Sequence, residues 1–350
     1  MLGILPPLTP APTQKNREES MAVNYQIQAI GENINIMSKT IGPAIKERNP
    51  KPVQKMTEEL IEAGCDILDL NLGPARKAGD EMMAWLVKTV QEVDPRVGDE
   101  IPLALDTTNT EAIKAGLKVV RNPEVTFINS ISAQKESLNS RMPLVKEYNC
   151  RFVALTLSEE GIPRDVNERG TCAAEIYNKA LELGIPENKM YIDPIVLPVS
   201  VDLNQVIAFL EFLPLIPDFA PGASSTCGLS NVSNGTPTEL RPKLNGPYQA
   251  IHMVLGIETS IIDGYDKAMM DLVKGKKKNL VDLAGRFLAH ELDEEKFPNV
   301  CMYIEANTDY KNQPKIDPKS LEGEELEYYK SFLVLTGKVL YSHSWLEMSV

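Results

Sequence analysis

Asp106 closes the apolar run "LALDTTN" (103–109), and Asp193 follows Tyr191 and Ile192 in "YIDPIVLP" (191–198), neither with a basic neighbour. A buried, unpaired carboxylate is costly, so each needs hydrogen-bond donors from somewhere. Further carboxylates and carboxamides stand at the ends of other short apolar runs. They are Glu32, Asn33 and Asn35, then Asp69 and Asn71, then Asn109, Asn129, Asn231 and Asp263. No histidine and no nucleophile–base pair occurs among them. Such a set suits a flat, nitrogen-rich heterocycle: a carboxylate accepts two N–H bonds from an amidine-like edge, and carboxamides serve the remaining donors and acceptors. Asp and Asn at strand ends also cap helices and close turns. For Asp69, Asn71, Asn109 and Asp263 that role stands level with ligand binding, whereas Asp106 and Asp193 favour a ligand.

The elements that must position these groups alternate. Strand candidates are 25–34, 65–72, 101–108, 125–132, 151–158, 190–197, 225–232 and 259–266, each a short apolar or β-branched run of the kind covered on both faces. Helical spacing fills the gaps at 50–64, 79–93, 109–120, 143–149, 169–184, 201–213, 238–256 and 267–275. Pro143 is placed in the first turn of its helix, and the lysine-rich "KGKKKN" (274–279) at a solvated helix end. This alternation predicts a (β/α)₈ TIM barrel over residues 25–289, whose C-terminal strand ends carry the chemistry. A doubly wound open sheet is the competitor, but neither GxGxxG nor GxxxxGK[ST] is present to support it. Residues 1–24, with four prolines by residue 12, read as a mobile N-terminal arm and not as a signal peptide. Residues 290–350 break the rhythm and form a C-terminal extension that caps the barrel or joins a subunit or partner contact.

The formal net charge of −13 argues against nucleic acid or an anionic membrane as partner, and no apolar run is long enough for a membrane span. Five scattered cysteines without CxxC pairing point to buried free thiols in a reducing cytoplasm. Three separated histidines, 252, 290 and 343, make a histidine-based metal site unexpected, so no protein-bound metal is anticipated.

"IGENIN", "DILDLNLGP", "LALDTTN", "FINSIS", "YIDPIVLP" and "GLSNVS" occur in order across residues 25–285. Together they resemble the pterin-binding (β/α)₈ methyltransferases that act on methyltetrahydrofolate and a corrinoid protein, the methyltetrahydrofolate:corrinoid/iron–sulfur protein methyltransferases among them. The resemblance implies that Asp106, Asn129 and Asp193 hold the pterin and that Asn231 approaches the methyl-bearing ring nitrogen. Asn35, Asp69, Asn71 and Arg241 join the substrate-binding set. Arg241 stands two residues further from Asn231 than the family pattern, and Asn33 replaces an arginine of the usual G-E-R-x-N. The implied reaction moves a methyl group between tetrahydrofolate and cobalt(I) of cobalamin, in either direction, in a homodimer. The chain has no D-x-H-x-x-G, so the corrinoid is expected on a separate protein. Two rivals remain. A dihydropteroate synthase-like transferase requires an N-x-T-P-D-S-F loop and a late S-R-K, both missing here; the other rival is a non-catalytic pterin-binding protein.

Overall fold

A computed structural model describes residues 23–75 and 77–350; the expected N-terminal arm therefore lies almost wholly outside the described residues. Eight parallel strands form the centre: β1 (Gln28–Asn35), β2 (Ile67–Gly73), β3 (Leu103–Thr107), β4 (Phe127–Ser132), β5 (Arg151–Leu155), β6 (Met190–Asp193), β7 (Ser224–Ser225) and β8 (Thr259–Ile262). Consecutive strands are neighbours, β8 returns to β1, and Gly228 bridges Ile261 to bring the two ends of the sheet together. Helices lie between the strands and cover the outside, which makes the chain a (β/α)₈ TIM barrel.

One layer of side chains plugs the barrel: Ile30, Ile67, Ala104, Phe127 and Tyr191, with Ile261 against them. Phe127 and Tyr191 meet edge to face at 4.8 Å. Strand side chains alternate, so the residue two positions on faces the same interior. Those residues are Glu32, Asp69, Asp106, Asn129, Asp193 and Asp263. The polar layer at the mouth is the strand period carried one step past an apolar plug.

Strand seven differs from expectation. It keeps only two residues, and the chain then turns into a 3₁₀ helix at Leu229–Ser233. Asn231 therefore sits on a turn above the barrel and not at a strand end. Gly228 and the small residues around it allow this early departure, because nothing bulky has to be kept in the wall. The helix expected at 143–149 runs from Lys135 to Tyr148 with Pro143 inside it, and its polar first half hid the start. "KGKKKN" joins the helix Lys267–Val273 to a further helix, Lys278–Glu291. Lys274, Lys276 and Lys277 pair with Asp66, Asp271 and Glu324, so these lysines staple a junction and are not simply solvated.

Residues beyond 290 form the helices Pro298–Asn307 and Gly323–Leu335, packed outside the barrel helices Leu203–Phe212, Pro242–Val254 and Lys278–Glu291. The buried Glu211 carboxylate accepts the backbone N–H groups of Asn299 and Val300, both at 3.0 Å, at the start of the first of these helices. Tyr341 touches Thr236 at 2.8 Å between the hydroxyls, and Trp345 is buried. The C-terminal extension thus braces the side of the barrel and the segment after β7. All five cysteines are buried free thiols, and no described helix is long and apolar enough to cross a membrane.

Candidate functional site at the barrel mouth

Register brings three expected residues side by side: Asp106 on β3 pairs with Asn71 on β2 and with Asn129 on β4. Asn71 donates from Nδ2 to Asp106, while its Oδ1 accepts from the Gly73 N–H at 2.9 Å. Asn71 therefore closes a turn and holds a carboxylate at once. Asp69, 1% exposed, accepts from Asn129 Nδ2 at 3.0 Å. Burial, and then the neighbouring Asp106, hold the Asp69 carboxyl well above the usual range. Burial likewise raises Asp106, which is hydrogen-bonded by Asp69 and Asn71. A protonated Asp69 donating to an ionised Asp106 satisfies both, since two like charges in one dry site cannot both persist.

Across the mouth, Asp193 is buried. Its Oδ1 accepts from the Ile195 N–H at 2.9 Å and its Oδ2 from the Gly228 N–H at 3.2 Å. Burial lifts the carboxyl to about 6, and the two N–H groups restrain the rise. The group is thus largely ionised at neutral pH and keeps lone pairs for an amidine edge.

Asn231 is exposed on its turn, with Oδ1 accepting from Asn234 Nδ2 at 3.1 Å. Its Nδ2 would lie 3.0 Å from a Cβ on Gly228, and Asp193 Oδ2 would lie 3.9 Å from that same atom. The missing side chain of Gly228 therefore lets the carboxamide and the carboxylate stand close together. Arg241 does not reach into the mouth. Its guanidinium donates to Ser233 Oγ, the Ser230 carbonyl and Asn234 Oδ1, each at 3.1 Å. Asn234 links it in turn to the Asn231 amide oxygen.

The alternative roles are realised at three other positions. Asn35 Oδ1 accepts from the Met37 N–H at 2.8 Å and turns the chain. Asn109 caps the helix Thr110–Leu117 through the N–H groups of Glu111 and Ala112. Asp263 accepts from Asn33 Nδ2 at 2.6 Å and from the Tyr265 N–H at 2.9 Å, tying the β8 end to β1.

Three further residues matter: Arg169 and Arg141, which sequence reasoning did not single out, and Glu32, named there only as one of the strand-end acids. Buried Arg169 donates to the carbonyls of Pro194 (2.9 Å) and Ile195 (3.2 Å) and to Gln205 Oε1 (2.6 Å). It holds the backbone after Asp193, where Ile195 takes φ 61, strained for a β-branched residue. Buried Arg141 donates to the carbonyls of Ser130 (2.9 Å) and Thr108 (2.7 Å) and so ties the ends of β3 and β4. Glu32, from β1, accepts from Ser230 Oγ at 3.3 Å, and burial lifts its carboxyl to about 7. The signal for Arg169 was its place on the stripe Cys172, Ala173, Ile176 and Ala180, all buried on one helix face.

Residues 32–257 match the family described as pterin binding enzyme, which covers more than half of the chain. The chain belongs to the pterin binding enzyme family. Among its relatives, methylcorrinoid:tetrahydrofolate methyltransferase of Eubacterium limosum is 26% identical over 246 residues, 70% of this chain and 88% of that protein. Dihydropteroate synthase from Xanthomonas albilineans, in complex with 7,8-dihydropteroate, superposes with a TM-score of 0.53 at 17% identity, covering 73% of this chain and 93% of that one. The 7,8-dihydropteroate synthase from Vibrio fischeri ES114 gives 0.54 at 17% identity, with the same coverage. At that identity these structures speak for the barrel alone. Asp69, Asp106 and Asp193 at the mouth of this barrel are acceptors of the kind an N–H-bearing heterocycle edge calls for.

Proposed function

We propose that this pterin binding enzyme is a methyltransferase, moving a methyl group between the ring nitrogen of tetrahydrofolate and the cobalt of a corrinoid carried by a separate protein. The observation that carries this reading is that Asn231 Nδ2 and Asp193 Oδ2 both lie within 4 Å of the place a Cβ on Gly228 would take. Asp106, Asn129 and Asp193 bind the pterin edge, and Asp69 and Asn71 set their protonation and direction. Asn231 then presents an N–H to the ring nitrogen. As the methyl leaves, that nitrogen gains electron density, and a fixed N–H bond strengthens with it.

The E. limosum relative supports methyl transfer, and its name, with methylcorrinoid first, favours the corrinoid as methyl donor. The segments after β1, β5, β6 and β8 carry exposed Met37, Ile162, Val201 and Tyr265. Exposed apolar residues around a mouth suit docking of a partner protein. A dihydropteroate synthase-like transferase calls for a phosphate-handling N-x-T-P-D-S-F loop after β1 and a late S-R-K, and the sequence has neither. Here Arg241 is engaged by its own loop, and the interior layer is acidic.

The test is anaerobic methyl exchange between methyltetrahydrofolate and cobalt(I) cobalamin, followed by the visible spectrum in both directions. Transfer that Asn231→Ala abolishes while pterin binding survives supports the reading. Pterin binding with no transfer, even with a range of corrinoid proteins, would leave a non-catalytic binder, and absence of pterin binding would overturn the site as well.

A further inference from the structure

Methyl transfer from a tertiary amine leaves a nitrogen that must gain a proton, and the side chains assigned above to the pterin edge are engaged there as acceptors of its N–H groups. Glu32 is a half-buried acid at the mouth that the pterin-edge assignment does not use. It lies two residues beyond the plug residue Ile30, and its described hydrogen bond is the one from Ser230 Oγ. Ser230 is the immediate neighbour of Asn231 and also lines a small cavity with Asn245, Asp263 and Asp266. That cavity has a volume of about 20 Å³, room for one water molecule. Asn245 Oδ1 is buried without a hydrogen-bond partner, so an acceptor for that water is in place. Asp263, which also lines the cavity, is exposed to solvent.

We infer that Glu32 holds the proton exchanged with the pterin ring nitrogen, and that Ser230 and a water in the adjoining cavity connect it to solvent at Asp263. This rests on the methyltransferase reading. When the methyl goes to cobalt(I), the carbon–nitrogen bond breaks and a carbon–cobalt bond forms. The Glu32 carboxyl gives its proton to the nitrogen and becomes a carboxylate, which solvent reprotonates through the cavity. In the opposite direction the carboxylate takes the proton that the nitrogen loses on methylation. The Asn231 amide orients the nitrogen but has no proton to give up.

The groups facing Glu32 set when it can do this. Asp69 from β2, Asp106 from β3 and Asp263 after β8 are acids; Arg241, behind the turn after β7, is the opposing cation. Burial, opposed chiefly by the Ser230 hydrogen bond, leaves the carboxyl at about 7, where it exchanges a proton readily near neutral pH.

The pH profile of methyl transfer from methyltetrahydrofolate, with pterin affinity measured on the same samples, tests this. The wild-type rate is expected to fall above pH ~7, and Glu32→Gln to lower it by roughly 10²-fold near pH 6 and to remove that falling limb. Pterin affinity in Glu32→Gln should change only a few-fold. Ser230→Ala keeps the limb but moves it to higher pH, because the hydrogen bond it removes favours the ionised form. A structural role for Glu32 would scale the rate at every pH and keep the limb. A limb that persists unmoved in Glu32→Gln, in a wild type that does transfer methyl, overturns the inference alone. A wild type that binds pterin but transfers no methyl overturns the methyltransferase reading and this inference with it.

Discussion

Arg169 holds Asp193 in place without touching it. The guanidinium donates to the carbonyls of Pro194 and Ile195, and the N–H of that same Ile195 donates to Asp193 Oδ1. A charged side chain with no exposed surface is tolerated because it converges on carbonyls that would otherwise lack donors. Arg169→Met keeps the bulk but leaves those carbonyls and Gln205 unsatisfied, so unfolding free energy should drop by about 3 kcal/mol. Urea denaturation measures it, and pterin affinity should fall in parallel as Asp193 loosens. A stable variant with normal affinity would show that the segment holds itself.

Asn231→Ala separates binding from turnover. The pterin edge keeps its carboxylates, so affinity should weaken less than about tenfold. Turnover should fall by roughly 10²–10³, the usual effect of losing one fixed donor at a developing charge. Equal losses in both would mean that Asn231 binds pterin and does no more.

Gly228→Ala reaches the same carboxamide from the other side. Gly228 has φ −74, a conformation open to alanine, so the backbone is not strained. The new methyl would stand 3.0 Å from Asn231 Nδ2 and must push it aside. Turnover should drop about tenfold or more while stability changes by about 1 kcal/mol or less. Unchanged kinetics would mean that the turn yields without moving the amide.

The acidic layer sets a pH dependence of stability. Glu32 sits at about 7 and Asp193 at about 6, and Asp69 is raised as well, all by burial first. Unfolded carboxyls titrate near 4, so between about pH 4 and 7 the folded chain binds more protons than the unfolded one. The contribution of these groups is full below about pH 4 and is lost as pH rises through 6 and 7. For Glu32 alone the loss is roughly 3 kcal/mol. Thermal melts from pH 5 to 8 should show decreasing Tm over this range, and Asp69→Asn should raise Tm at pH 8 and flatten the slope. A Tm that climbs with pH in both proteins would refute the assignment.

Tyr341→Phe tests the brace from the C-terminal extension. It removes the 2.8 Å contact with Thr236 and leaves the ring packed near Trp345. Stability should fall by about 1 kcal/mol, and amide exchange over residues 229–236 should quicken while the strands stay protected. Exchange unchanged in that segment would detach the extension from the site. We also propose that the extension, whose Met302 and Leu340 are exposed, serves subunit or partner contacts. Sedimentation of a chain with both residues changed to Ser, alone and with a corrinoid protein, tests that: profiles unchanged in both would overturn it.

The residue order alone determined the barrel and its polar layer. Short apolar runs alternating with helical spacing leave few ways to bury both faces of a sheet. The strand period then places an acid or a carboxamide two residues beyond each plug residue, as in Ala104 and Asp106 or Phe127 and Asn129. Asp106, Asn129 and Asp193 were legible for that reason. What each polar group does was decided only by contacts distant in sequence. Asn129 meets Asp69 across 60 positions, and Ser230 meets Glu32 across 198. Nothing local reveals that one acid will share its site with another and stay protonated, or that Arg241 will turn back onto its own loop. Strand patterns record burial face by face, whereas protonation and orientation depend on which faces meet, and that is settled only when the barrel closes.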